Sequence, residues 1–475
     1  MFLNHKNSLW TDLFLPRFLQ QISGSGVYIS TRRLASSCLG WWWLHILLWG
    51  RHFSLVLVAG SAAVSAQNTE DFPIVSSKKG LQVQMVEDAL ALGIKHAALN
   101  VNFAQLLQLQ TNAASLSANF GGTNFYFARG YVEHLDRQIK PLSDRGVIVS
   151  LILLYYRSGN DDLNKIMLHP GYHPDAPNHL SAFNTSNPVS SAHYSACVEF
   201  LARRYNAPGA PHGRVWNYIV GNEVNSHWYW SNMGRVTMEE FADDYLRAVR
   251  FCHQAVRRHS ARARVYLSLE HHWNIAYPPA EKGQAFAGRP FLDYFARQAR
   301  AGGDFDWHLA FHPYPENLGD CRTWNDQSAL PTPDTPRITF KNLEVLPKYL
   351  ERPELLYCGQ PRRIILSEQG FHSPESEEGQ ILQAAAYAYA WQKVSALPSI
   401  DSFILHRHVD HGQEGGLNLG LWTRKKDASH PAEPAEKKRI YEVFRLADTP
   451  QRESAFEFAL PIIGLESWSE LEARP

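Results

Sequence analysis

Cysteine is scarce, with five in 475 residues. Cys38 lies in a leader expected to be removed, and Cys197 and Cys252 fall on the apolar faces of expected helices, where they read as buried thiols. Cys321 follows one expected strand and Cys358 precedes the next, which puts them at opposite ends of a barrel. No disulfide framework is expected. Net charge is missing too: 46 basic and 46 acidic residues give a formal +0. No Lys/Arg stripe interleaved with aromatics offers a footprint for nucleic acid, so no such partner is expected. No Gly-rich fingerprint follows the first expected strand, which disfavours a dinucleotide fold. There is no internal repeat.

Long hydrophobic runs are confined to the first 66 residues, and even these are short. Cys38–Gly50 and Phe53–Ala63 are split by Arg51, and neither reaches the roughly 18–20 apolar residues of a spanning helix. Arg51-His52 before the second run and Val64-Ser65-Ala66 after it read as a signal peptide. Cleavage after Ala66 would release a periplasmic or secreted protein beginning at Gln67, with no stable membrane span. The alternative is an uncleaved anchor. Five of the basic residues but one acid lie in this leader, so the remaining chain is mildly acidic.

Past the leader, strand and helix patterns alternate. The strands expected are Ile94–Phe103, a weak Thr123–Phe127, Val147–Tyr156, Val215–Val220, Arg264–Leu269, Phe305–Phe311, Arg363–Ser367 and Ser402–His406. Helical stripes separate them. Thr237 and Glu240 form a capping box before Phe241, Tyr245, Val249, Cys252 and Val256, which recur at helical spacing. Arg157–Pro188 is rich in His, Asn, Pro and Gly and reads as a long loop, a length usually kept for function. Eight strand–helix units without a linker point to a closed (β/α)8 barrel, the TIM barrel, in a single catalytic domain. The boundaries expected are 1–66 leader, 67–93 extension and short helix, 94–449 barrel, and 450–475 tail packed on the barrel.

In such a barrel the chemistry gathers at the C-terminal ends of the strands. The stretch V-W-N-Y-I-V-G-N-E-V-N ends a buried strand on Asn222 and Glu223. R-I-I-L-S-E-Q-G places Glu368 in the same way. A carboxylate where a buried strand ends is costly to desolvate, so two of them are candidates for use. Strands four and seven lie nearly opposite, and glycoside hydrolysis needs two facing carboxyl groups. Glu270 reads as a supporting acid paired with His271 or His272. Trp228, Tyr229, Trp230, Trp273 and Trp324 fall in loops on the mouth side and suit stacking on sugar faces, with some of them expected to be packing only.

Here the sequence resembles the clan A glycoside hydrolases, whose barrels carry an Asn-Glu acid/base on strand four and a glutamate nucleophile on strand seven. It is more closely similar to a bacterial family of glycosidase-like barrels labelled as a domain of unknown function, through K-K-G-L-Q-V-Q-M-V-E-D-A-L-A-L-G-I-K-H-A-A-L-N and G-N-E-V-N. Together with the leader and the carboxylate pair, the resemblance gives the expectation of an exported retaining glycoside hydrolase acting on a poly- or oligosaccharide, with no cofactor or metal expected. It implies Glu223 as acid/base, Glu368 as nucleophile, and Asn222 on the sugar's 2-hydroxyl. His312 and Tyr314 of F-H-P-Y match the clan's strand-six pair, whose tyrosine holds the nucleophile. His406, His408 and Trp273 join the expected substrate-binding set. Two departures stand out: Val224 follows Asn-Glu where many members have proline, and H-R-H-V-D-H occupies strand eight where a tryptophan is usual. Trp422, in the next loop, is the expected replacement platform.

Two other classes compete. His271, His272, His312, His406 and His408 would suit a metal-dependent barrel hydrolase, although the first expected strand ends N-V-N and lacks His-x-His. A non-catalytic carbohydrate-binding barrel is the third reading, and the paired glutamates argue against it.

Overall fold

Eight parallel strands close on themselves in a computed structural model that describes residues 67–473. They are β1 (Lys79–Gln82), β2 (His96–Asn102), β3 (Ile148–Leu154), β4 (Asn217–Val220), β5 (Arg264–Glu270), β6 (Trp307–His312), β7 (Ile364–Gln369) and β8 (Ile400–Leu405). Each is followed by a helix: α1 (Val86–Ala91), α2 (Arg129–Asp144), α3 (Pro188–Tyr205), α4 (Met238–Arg257), α5 (Gly288–Ala301), α6 (Val345–Leu350), α7 (Glu377–Ser395) and α8 (Arg439–Leu446). Neighbours pair in sequence order, and β1 closes the ring by pairing with both β8 and β2. The expected (β/α)8 barrel is the fold observed. Among the described residues no helix is long and apolar enough to cross a membrane. The expected signal segment lies outside those residues.

The lumen is filled, as the diameter of an eight-stranded barrel requires. Ala98, Ile152, Leu154, Ile219, Tyr266, Ala310, Ile365 and Ile404, drawn from every strand from β2 to β8, form one buried cluster with Leu180 of the loop after β3. Burying each branched or aromatic member stabilises the fold by about 1.5–3 kcal/mol. This plug is the floor beneath the strand ends. The outer core holds the helices. Thr237 and Glu240 make the capping box at the start of α4, and its stripe from Phe241 to Val256 is buried. Cys197 and Cys252 are buried free thiols within the same outer core.

Two strand assignments need correction. The barrel begins at Lys79, inside the segment expected to be an extension, so Ile94–Phe103 corresponds to the second strand. Lys-Gly-Leu-Gln has one apolar residue and no alternation to reveal it. It is a strand because Gly80 packs against Ile404 and His96, where a Cβ would lie 2.7 and 3.0 Å from their side chains. Lys79 is buried at its start, with Nζ donating to Asp448 Oδ1 at 2.5 Å and to the Arg445 carbonyl at 3.0 Å. Thr123–Phe127 is not a barrel strand. It lies in Thr123–Ala128, the middle of a small antiparallel sheet with Leu107–Gln108 and Ser115–Phe120. The segment Arg157–Pro188 also carries a helix, Asp161–Met167, capped by Asn160. In the tail, Phe456 and Ala459 are buried in the outer core.

Closure at β1 gives a test. Gly80→Ala should lower the melting temperature by several degrees, since overpacking a full core costs about 1–3 kcal/mol. Gly130→Ala, in α2 with nothing within 4 Å of the added Cβ, should leave it unchanged or slightly raised. Thermal denaturation of the two variants decides, and equal effects would show that β1 does not depend on the close approach.

Candidate active site

The β4 strand ends in a forced turn. Gly221 has φ +75°, which suits glycine, and Glu223 follows at φ 41°, ψ 50°. A left-handed glutamate costs of order 1–3 kcal/mol and persists only where its surroundings fix it. Its backbone N–H donates to Ser268 Oγ at 2.9 Å, and Tyr245 donates to the carbonyl of Val220 at 2.6 Å. The effect is to turn the Glu223 carboxyl into the mouth of the barrel, with 12% of the side chain exposed.

There it meets β6 and β7. His312 Nδ1 lies 2.9 Å from Glu223 Oε1, and His312 Nε2 lies 3.0 Å from Ser367 Oγ. Tyr314 donates to Glu368 Oε1 at 3.3 Å. One carboxylate oxygen each from Glu223 and Glu368 and one nitrogen of His312 lie within 4.8 Å of one another. Burial pushes the Glu223 carboxyl above the usual carboxylate range; the His312 hydrogen bond opposes this, and the charges of Glu368 and Glu270 add to it. Burial alone would depress His312, but its bond to Glu223 and the charges of Glu368, Glu223 and Glu270 outweigh that and raise it. The two groups are thus both shifted toward their protonated forms and titrate as one unit. Burial and the neighbouring Glu368 hold the Tyr314 hydroxyl well above its ordinary value, so it remains a donor.

Glu270, the supporting acid, is fully occupied. Its Oε1 accepts from Asn225 Nδ2 at 2.7 Å and Ser226 Oγ at 2.9 Å, and its Oε2 from the backbone and Nδ1 of His272 at 2.8 and 2.7 Å. Burial would raise it, but the His272 hydrogen bond and the His272 and His271 charges hold it at about 2. Above these groups opens a cavity of about 440 Å³ that exposes Glu223, Glu270 and Glu368 together with Tyr229, Trp230, Tyr277 and Tyr314. The loop after β3 supplies Asn178 to its wall, and the loop after β8 supplies Glu414. The site thus offers two facing carboxyl groups, one of them biased toward its protonated form, beneath aromatic faces.

Residues 71–471 match the profile of a family of unknown function, DUF5722. The chain belongs to DUF5722. No curated protein matches it. Among solved structures, the β-glucosidase of Pyrococcus furiosus aligns with a TM-score of 0.50 at 13% identity, over 79% of this chain and 86% of that one. A family 1 β-glucosidase from Thermotoga maritima aligns at 0.47 and 12%, over 76% and 84%. A family 39 glycoside hydrolase from Bacteroides cellulosilyticus WH2 aligns at 0.46 and 12%, over 77% of this chain and 60% of that one, so the chain spans less than two thirds of that enzyme. The likeness is one of fold: this DUF5722 chain and the Pyrococcus furiosus β-glucosidase share an overall architecture, here an eight-stranded parallel barrel.

The remaining expected site residues divide. Tyr229 and Trp230 line the cavity. Trp273 does not: it is 0% exposed, its ring meets Tyr349 edge-on and its Nε1 donates to the carbonyl of Pro333 at 3.2 Å. Trp228 is buried under Arg235, and Trp324 packs against Tyr389. Trp422 is no platform either, because its Nε1 donates to Asp88 Oδ2 at 3.0 Å and Lys437 covers its ring. His408 joins the same node: its Nε2 lies 2.8 Å from Asp88 Oδ2, and its Nδ1 accepts from the backbones of Gln84 and Met85. These residues staple the loop after β8 to α1. His406 bonds Gln82 and, at 3.2 Å, Glu414, beside the cavity and outside it. His312 stands behind Glu223, buried, and Asn222 is nearly buried; neither is part of the lining. The five histidines therefore do not converge: two flank Glu270, one backs Glu223, and two belong to the β8 loop.

The residues that sequence reasoning missed are Ser268, Ser367, Tyr277 and Glu414. Only Glu414 carried a signal, standing between the glycines of H-G-Q-E-G-G in the loop after β8.

The raised Glu223 carboxyl has a consequence for stability. Its charged form is disfavoured in the folded state, so the protein loses stability as pH rises from the unfolded value near 4.5 through the raised folded one. Glu223→Gln, which keeps the shape and the His312 contact, should raise the melting temperature at pH 7–8 by about 1–3 °C. The gain should vanish below about pH 4.3. A loss of stability of equal size at both pH values would contradict the assigned burial cost.

Proposed function

We propose that this protein is a retaining glycoside hydrolase acting on a poly- or oligosaccharide, with Glu368 as nucleophile and Glu223 as acid/base. The observation that carries the reading is the approach of the Glu223 and Glu368 carboxylate oxygens to within 4.8 Å. That spacing accords with the roughly 5–5.5 Å between carboxyl groups used for direct attack, and leaves no room for the water that the inverting separation of about 6.5–9.5 Å admits. Glu368, steadied by Tyr314, attacks the anomeric carbon as Glu223 passes its proton to the departing oxygen. Water then attacks the same carbon. Glu223 takes a proton from that water, and the ester bond to Glu368 breaks, returning its carboxylate. His312 positions Glu223 and, bonded in turn to Ser367, fixes its orientation. Tyr229, Trp230 and Tyr277 give the sugar apolar faces to stack on.

The two glutamates differ in a way that kinetics resolves. Glu368→Ala should reduce turnover of every glycoside to background. Glu223→Ala should slow natural substrates by about 10²–10⁴-fold while sparing aryl glycosides with good leaving groups, and added azide should yield a glycosyl azide of retained configuration. Full activity in Glu368→Ala would remove the mechanism, and binding without hydrolysis in the unmodified protein would favour a carbohydrate-binding role.

A further inference from the structure

A second cavity, about 740 Å³, opens on the same end of the barrel, over the ends of β1, β2 and β8. Gln82 and Asn100 stand at or beside the ends of β1 and β2, and His406 directly follows β8. All three line this cavity. The strand direction that brings Glu223 and Glu368 into the mouth therefore places this cavity on the catalytic face as well. The two cavities share a wall. Glu414 lines the first, and its carboxylate is bonded by His406 and Arg407, which line the second. Burial would raise Glu414, but the His406 hydrogen bond and the charges of His406 and Arg407 hold it at about 2, so the wall is a fixed ion pair.

The lining chemistry selects the ligand. Arg407 is matched by Glu414 and Glu433 by Lys425. The uncharged polar lining is amide and imidazole, Gln82, Asn100, His134, Gln138, His411 and His430 among it, beside apolar Val83, Leu99 and Pro434. Burial, and then the Arg407 charge, lowers His411, which keeps it a neutral ring near pH 7. The side chains of His134 and Gln138, on α2, make no hydrogen bond with any described residue. Amides, and an imidazole such as His411, both donate and accept, which matches the hydroxyl groups of a sugar. The volume falls in the range of pockets that enclose a ligand of several rings.

We infer that this cavity binds further units of an uncharged glycan whose scissile sugar occupies the Glu223–Glu368 cavity, so that the substrate is an oligosaccharide chain lying across the Glu414 wall. The inference rests on the hydrolase reading for the position of the scissile unit. It is tested separately from that reading by binding alone.

Titration calorimetry of the full chain carrying Glu368→Gln should use cellotetraose, laminaritetraose, xylotetraose and mannotetraose, each beside its monosaccharide. At least one tetraose should bind, and more tightly than its monosaccharide. His134→Ala combined with Gln138→Ala, both outside the core on α2, should weaken that tetraose about 5-fold or more, the loss of two modest hydrogen bonds, and leave the monosaccharide unchanged. Binding of none of the four, or a tetraose affinity unmoved by the double variant, would overturn the inference. Failure of the hydrolase reading would show elsewhere, as unchanged turnover in Glu368→Ala, and would leave the tetraose result intact.

Discussion

The hydrogen bond between His312 and Glu223 is the interaction on which the rest of the site depends. A glutamate at the end of a buried strand, facing a second glutamate, is unfavourable unless a proton or a donor accompanies it. His312 supplies the donor, and Ser367 fixes the ring from behind. The left-handed backbone at Glu223 is tolerated because Ser268 and Tyr245 secure the turn on both sides. Strain, burial and charge repulsion are thus concentrated on one carboxyl group. Its neighbour Glu270, buried more deeply still, is relieved by four hydrogen bonds and stays charged. Two glutamates on adjacent strands are driven to opposite protonation tendencies by their partners alone.

The scaffold makes this concentration possible. A lumen filled by buried side chains from each of β2 to β8 gives the site a close-packed floor. The walls come from loops, which is where a barrel varies. The segment after β3 contributes Asn178, braced by its bond to the carbonyl of Tyr229 at 3.1 Å. The segment after β8 is held by the node of Asp88, His408, Trp422 and Tyr441. His408 and the following Trp422 are thus spent on anchoring the loop that presents Glu414.

Much of this was legible in the sequence, and the exceptions have physical causes. Buried parallel strands such as I-V-S-L-I-L-L read as unbroken apolar runs, so β3 to β8 were recoverable, and with them the strand ends bearing Glu223 and Glu368. β1 was not, because a strand can be held by glycine's close approach and a buried lysine without any hydrophobic pattern. Thr123–Phe127 was misplaced although Phe120-Gly121-Gly122-Thr123 carries a hairpin signal: both glycines adopt positive φ, +59° and +83°, as a tight antiparallel turn requires. Side-chain direction was the other blind spot. Trp273 and Trp422 sit in loops near the mouth by sequence, yet both spend their indole N–H on protein acceptors, Pro333 and Asp88. Position along a loop does not determine which way a ring faces. Ser367 and Ser268, small and adjacent to larger groups, left no trace at all.

The central claim is that the facing glutamates act by direct attack. The anomeric configuration of the first-formed product, followed by proton NMR on an aryl glycoside that the protein turns over, tests it most directly. Retention of configuration, with the initial anomer appearing before mutarotation, is the expected result. Initial release of the opposite anomer would mean that water attacks without a covalent intermediate, and would contradict the assignment of Glu368 as nucleophile.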